Sequence, residues 1–298
     1  MWIQSFIDYL RYERNYSERT IEAYQADLEE FRQFFETLNS ELTWETIDKD
    51  VIRDWVMEMM NRGNIASSVN RRLSAVRSFY KFLLRRGMID HDPAHSLKGP
   101  KQEKPLPTYL RESEMDRLFD DMTFPSTYAG VRDRMILLMF YSTGIRVSEL
   151  VGLHVNDVEL GAFQLKVTGK RNKQRLIPFG NELAEAVRDY LGERQEFCRA
   201  KGTNGTTLFL DERNGSPMKT EKVRARVQHY LSLVTTQKKK SPHVLRHTFA
   251  TTMLNHHADL QSVKELLGHE SLSTTEIYTH TSFEELKEMY NMAHPRAK

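Results

Sequence analysis

The chain has 298 residues, 39% of them hydrophobic and 28% charged, with a formal net charge of +2, which suits two ordinary domains or one large one, each able to bury a core. No run approaches the roughly 18 apolar residues of a membrane span, and Met1-Trp2-Ile3-Gln4-Ser5 has neither the basic nor the apolar region of a secretory leader. Cys198 stands alone, which excludes an intrachain disulfide and a cysteine zinc cluster and points to a reducing cytoplasm.

The first hundred residues read as all-helical. Ser17 is a natural N-cap for a helix whose apolar positions Ile21, Tyr24, Leu28, Phe31, Phe34, Phe35 and Leu38 recur at helical spacing. A second helix runs near Lys49 to Met60 on Val51, Ile52, Trp55, Val56 and Met59, and Gly63-Asn64 breaks it. A third begins near Ser67-Ser68, with Val69, Leu73, Val76, Phe79, Tyr80, Leu83 and Leu84 on one face. Arg71, Arg72, Arg77, Lys81 and Arg85 lie mostly between those apolar positions, so this helix carries a cationic face suited to lying along a phosphate backbone. Charge is segregated accordingly. Residues 1–60 hold six Lys/Arg against fourteen Asp/Glu, and residues 61–104 hold ten against three. A solvated helix surface is the plain alternative for such a run.

Lys98 to Pro107 contains three prolines and three lysines; proline lacks the backbone donor that helices and ladders use, so this stretch reads as an extended linker. The pattern predicts an all-α domain over 1–98, a linker over 99–108 and a second domain over 109–298. That second domain reads as mainly α with a small β-sheet (α+β). Glu112–Phe119, Val131–Thr143 and Glu182–Arg199 are helical, and helical patterns dominate from Thr220 onward. Between them, alternation in 163–168 and 174–178 flanks Gly169-Lys-Arg-Asn-Lys173, a β-hairpin with a basic tip.

Four short stretches carry chemistry. In Thr143-Gly-Ile-Arg-Val-Ser-Glu-Leu150, Arg146 opens a helix where a guanidinium can clamp a phosphate, or simply pair with Glu149 at i,i+3. In Ser241-Pro-His-Val-Leu-Arg-His-Thr248, Ser241 is a good N-cap and Pro242 a good first helical residue. His243 and Arg246 then share one face near the positive helix end. His243 and His247 also have metal-ligand spacing, but Val244 stands where the zinc-protease motif needs glutamate. Leu266-Leu-Gly-His269 reads as a helix ending at Gly268 with His269 just beyond it, and Ser273 to His280 contains Tyr278, by default a packing residue.

Taken together, an arginine, a His-x-x-Arg, a Gly-His and a tyrosine nine residues after that histidine resemble the tyrosine recombinase family, also called the phage integrase family. The resemblance covers nearly the whole chain, and Leu267–His280, Tyr16–Tyr24 and His294–Ala297 are particularly similar to its Xer subgroup. It implies a DNA-clamping N-terminal domain, with Arg71, Arg72, Arg77, Lys81 and Arg85 on DNA, and no additional arm-binding domain. It implies a catalytic set of Arg146, Lys170, His243, Arg246, His269 and the nucleophile Tyr278. Lys170 fits a hairpin pattern Gly-Lys-x-x-Lys, in which Lys173 is the alternative lysine, and Arg171 departs from the subgroup's usual glycine. It further implies double-stranded DNA with inverted-repeat core sites as substrate, a tetramer formed with itself or a paralogue, and neither metal nor cofactor. A septal DNA translocase is a further implied partner, and no membrane is involved. The last helix, through Leu286, Met289 and Tyr290, would dock on a neighbouring subunit or else pack on its own domain. The implied role is chromosome dimer resolution in the cytoplasm. A mobile-element integrase with the same chemistry and a catalytically silent DNA-bridging protein are the alternatives, and adduct formation on DNA separates the last from the others.

Overall fold

The computed structural model describes residues 2–102, 108–169, 172–268 and 283–297. They fall into two compact units, Met1–Pro105 and Leu106–Lys298, each with its own apolar core.

The first unit is helical throughout. Helix α1 (Trp2–Asp8) runs into a π-helical turn, Tyr9–Glu13. Helix α2 (Glu18–Leu38) starts where Ser17 accepts a hydrogen bond from the Thr20 amide at 3.3 Å. In α3 (Lys49–Asn61), Asp48 caps the Asp50 and Val51 amides at 2.8 and 3.0 Å. Helix α4 (Ala66–Arg85) begins a residue before the serine pair that marks its start in the sequence. Their apolar stripes meet in an aromatic core: Phe31 lies 4.7 Å from Trp55 and Trp44 lies 4.7 Å from Phe79, ring centre to ring centre.

The second unit is built around α6 (Tyr128–Thr143), which follows α5 (Glu112–Asp116) and a second π-helical turn, Arg117–Asp121. An unbroken run from Met135 to Thr143 is buried, so α6 is wrapped by neighbours rather than laid on a surface. It packs against α8 (Asn181–Lys201), α9 (Thr220–Val234) and α10 (Pro242–Asn255). Two buried charges at its foot fix its position. Arg132 donates to Asp133 at 2.8 Å, to Glu212 at 2.5 Å and to the Leu210 carbonyl at 3.0 Å, while Arg226 of α9 reaches the other Asp133 oxygen at 2.5 Å. A buried carboxylate persists only with such partners.

Helix α7 (Val147–Val151) leads to a three-stranded antiparallel sheet of β1 (Val158–Glu159), β2 (Gln164–Thr168) and β3 (Gln174–Pro178), in that spatial order. The register pairs Leu165 with Ile177 and Val167 with Arg175, and the Gly169 amide donates to the Lys173 carbonyl at 2.7 Å to close the hairpin. Mainly α with a small sheet is therefore the fold class, as the sequence pattern predicts. Among the described residues no helix is long and apolar enough to cross a membrane.

Helix α11 (Leu260–Leu267) and α12 (Phe283–Ala293) complete the unit. Tyr290, one of the three residues proposed for a neighbouring subunit, is fully buried here and stacks on His294 at 5.1 Å, so it belongs to its own unit's core. Leu286 and Met289 are half-buried. The tail after α12 is anchored by Arg296, which donates to Asp120 at 2.6 Å and to Glu182 at 2.8 Å, and by the Asn181 amide on the Ala297 carbonyl at 3.2 Å.

Candidate active site

Two separate stretches bring Arg146, His243 and Arg246 to one cleft. It has a volume of about 450 Å³ and is also lined by Ser148, Arg224 and Ser241. Helix α6 terminates at Gly144 with φ +58°, and a Cβ there would lie 2.5 Å from the Phe249 ring, so glycine alone fits the turn. The turn carries Arg146 to the N-cap position of α7. Opposite, Pro242 opens α10 and sets His243 and Arg246 one helical turn apart. Ser241 occupies the N-cap position, but its hydroxyl makes no capping bond.

The arginines are held rather than loose. Arg246, 5% exposed, donates to the carbonyls of Gly144 and Leu267, both at 2.6 Å. Arg146 donates to Glu149 and to the Gly268 carbonyl, both at 2.9 Å. Glu149, itself 5% exposed, also receives two hydrogen bonds from Arg175, each 2.9 Å, and the Arg146 amide at 2.8 Å. Burial works against the Glu149 charge, yet the Arg175 hydrogen bonds and the Arg146 amide outweigh it, and its carboxyl stays below the ordinary range. Burial first, and then the neighbouring Arg146 and Arg175, lower the Arg246 guanidinium to about 10. Desolvation, followed by the neighbouring His247, Arg246 and Arg146, keeps His243 below its usual value, so near neutrality its imidazole is unprotonated and able to take a proton.

Concentrating cations around a cleft raises the local affinity for an anion. Two positively charged forks at one wall match the non-bridging oxygens of a phosphodiester. No group of three or more metal-ligating side chains occurs among the described residues. His243 and His247 are neighbours, with ring centres 5.0 Å apart, but they stand without a third ligand there.

Lys170, His269 and Tyr278 lie outside the described residues. Gly268, φ +63°, ends α11 directly before His269, as the sequence reading expects of a helix-terminating glycine. In the first unit, Arg71 donates two hydrogen bonds to buried Asp27, Arg72 reaches Glu30 at 3.3 Å, Arg77 reaches the Leu97 carbonyl, and Arg85 donates to the Tyr9 hydroxyl at 3.1 Å. Lys81 is exposed and has no partner among the described residues. Four of the five side chains proposed for DNA contact thus have structural work within the unit.

Sequence reasoning saw Glu149 only as a partner for Arg146 and passed over Arg175. The signal for Arg175 is strand parity: it alternates onto the face of buried Ile177, opposite buried Val167, where an apolar residue is the default. Arg224, an exposed member of the cleft wall, carries no comparable signal.

Residues 108–285 match the model of the phage integrase family, and residues 3–87 match the phage integrase N-terminal SAM-like domain. The tyrosine recombinase XerC of Bacillus subtilis (strain 168) is 38% identical over 298 residues, covering 99% of this chain and 97% of that one. The XerC of Chlorobaculum tepidum is 37% identical over 318 residues, covering 99% and 95%. Among solved structures, XerH site-specific recombinase bound to palindromic difH substrate in a post-cleavage complex has a TM-score of 0.70 at 20% identity, covering 98% of this chain and 94% of that one. A lambda integrase dimer bound to a COC' core site has a TM-score of 0.67 at 17% identity, covering 94% and 98%. At those identities the two structures share the fold.

Proposed function

The chain belongs to the phage integrase family, in the Xer subgroup of tyrosine recombinases, and on that premise we propose that it cuts and rejoins DNA at specific sites through a 3'-phosphotyrosyl bond to Tyr278. The observation that carries this reading is the meeting of Arg146, His243 and Arg246 at one cleft, from stretches nearly a hundred residues apart in the chain.

Each side chain then has a role. The Tyr278 oxygen attacks phosphorus, the bond to the 5'-oxygen breaks, and the phosphate passes to tyrosine. The phosphoester bond is exchanged rather than lost, so rejoining is the same displacement run backwards and needs no nucleotide. Arg146 and Arg246 hold the non-bridging oxygens, whose charge grows in the transition state, and a positioned donor of this kind is worth about 3 kcal/mol. Neutral His243 receives or steers the phenolic proton; a tyrosine ordinarily keeps it until about pH 10, and the two guanidiniums favour its loss. Lys170, with Lys173 as the alternative, protonates the departing 5'-oxygen. His269 hydrogen-bonds the phosphate or orients its neighbours. No metal or cofactor takes part in this scheme.

The substrate is double-stranded DNA with inverted-repeat core sites, on which four subunits, of this chain alone or with a paralogue, exchange strands in two pairs. Chromosome dimer resolution before cell division in the cytoplasm, with a septal DNA translocase as trigger, is the role we assign; the XerC relatives support it.

The test is covalent capture. On a nicked suicide substrate the wild-type chain forms an adduct that survives a denaturing gel, with the linkage mapping to Tyr278. Tyr278→Phe binds the same site and yields none. An undiminished adduct in that variant overturns the assignment.

A further inference from the structure

All three nitrogens of Arg175 donate to protein. Its Nη1 and Nη2 donate to the two Glu149 oxygens, each at 2.9 Å, and its Nε donates to the Leu266 carbonyl at 2.9 Å. Its side chain is 16% exposed. Glu149 is shared, since its Oε1 also receives Arg146 at 2.9 Å. The last two carbonyls of α11 and that of its C-cap Gly268 each accept one arginine. Leu266 receives Arg175, Leu267 receives Arg246 and Gly268 receives Arg146. A helix C-terminus carries partial negative charge, which offsets the repulsion among three guanidiniums crowded there. Gly268 leaves the room required: a Cβ on it would sit 3.1–3.2 Å from the Arg175 guanidinium.

From this geometry we infer that Arg175 is a positioning residue for strand cleavage: through Glu149 and the Leu266 carbonyl it fixes the Arg146 guanidinium and the end of α11 that leads to His269. The inference rests on the phosphate-holding role proposed for Arg146. Arg175 itself touches no substrate. With Arg175 present, the Glu149 carboxylate divides its attraction between two guanidiniums, and the donors of Arg146 engaged by neither Glu149 nor the Gly268 carbonyl remain available to an oxyanion. Without Arg175, that carboxylate is buried beside Arg146 alone and draws it inward, while the Leu266 carbonyl loses its donor. A buried guanidinium–carboxylate fork is directional, so lysine, a point charge with one nitrogen, does not replace it.

The experiment is single-turnover cleavage of a nicked site by the full chain, with rate followed against enzyme concentration, for Arg175→Ala, Arg175→Lys, Glu149→Gln, the Glu149→Gln/Arg175→Ala double variant and Arg146→Ala. Thermal midpoints are measured in parallel, and all rates are taken well below the lowest. The expected result is a maximal rate reduced tenfold or more in Arg175→Ala and Arg175→Lys, with the half-saturating enzyme concentration unchanged, and a double variant no slower than the slower single variant. A maximal rate within twofold of wild type in both Arg175 variants overturns the inference. So does a loss confined to half-saturation, or losses that multiply in the double variant. If Arg175→Ala fails to fold, Arg175→Lys alone decides by the same criteria. Arg146→Ala separates the two levels: full cleavage by that variant sinks the phosphate-holding role itself, whereas its loss of cleavage alongside normal Arg175 variants sinks only the present inference.

Discussion

Arg246 and His294 show opposite uses of burial. The Arg246 guanidinium is kept charged in a setting that disfavours charge, beside two other arginines, with only carbonyl oxygens as direct acceptors. An arriving phosphate relieves that cost, so part of the penalty paid in the free protein returns when the anion binds. His294 is kept neutral. Its Nδ1 accepts the Arg296 amide at 3.2 Å and its Nε2 donates to the Tyr141 carbonyl at 3.2 Å, so both nitrogens serve the uncharged tautomer. Burial pushes its pKa down to about 4. Because the folded value lies below the unfolded one, the unfolded chain binds the proton first as pH falls. The stabilisation is complete above about pH 6.5 and is lost between there and pH 4, roughly 3 kcal/mol in all. The thermal midpoint of the wild-type chain is expected to decline across that window. His294→Gln, which cannot charge, is expected to show a lower plateau and a correspondingly flatter slope. Parallel curves for the two proteins would assign the decline to other groups.

At the scale of elements, the turn between α6 and α7 matters more than its length suggests. Its Gly144 carbonyl anchors Arg246 and its backbone delivers Arg146. Gly144→Ala combines a strained positive φ with a Cβ 2.5 Å from Phe249. It is expected to cost about 1–3 kcal/mol of stability, read as a lower denaturant midpoint at unchanged slope, and to slow cleavage beyond that cost because both arginines shift. Unimpaired stability would show that Phe249 yields easily. Elements of this molecule differ in how far local sequence reveals them. Helices α2, α3, α4 and α8 and the β2–β3 hairpin are legible because each repeats its apolar period long enough to be distinguished from chance, and α6 because its apolar run is too long for a strand. Helix α1 is too short for that, α7 is legible only by its start at Arg146, the two π-helical turns have no sequence rule, and β1 is two residues long. The site divides along similar lines. Arg146, His243 and Arg246 announce themselves beside capping and turn residues. Arg175 does not, because its meaning depends on a carbonyl 91 residues away, and a single arginine in a strand otherwise reads as solvent-facing. Glu149 is visible but misweighted: an i,i+3 partner on a surface is worth little, whereas here it is buried and ties α7 to β3.

For the molecule as a whole, the acidic and basic halves of the first unit are the instructive feature. Their segregation along the sequence invites the view that α4 offers an open row of cations to DNA. The structure instead spends much of that row on the acids of α2: Asp27, 3% exposed, is neutralised by Arg71 and flanked by Arg72 at 3.9 Å. Basic residues of α4 therefore fall into two kinds, and mutation should separate them. Arg71→Ala leaves a buried carboxylate short of its main partner and is expected to lower stability by roughly 1–3 kcal/mol, so any loss of DNA affinity comes with a lower thermal midpoint. Lys81, exposed and without a partner among the described residues, has no such structural duty. Lys81→Ala is expected to leave stability within about 0.5 kcal/mol of wild type. If Lys81 meets a phosphate, the same change lowers affinity at low salt and reduces the slope of log affinity against log salt by about 0.9, the counterion share of one contact. Titration of both variants against site DNA at several salt concentrations reads this directly. An unchanged slope in Lys81→Ala would remove Lys81 from the DNA-facing surface.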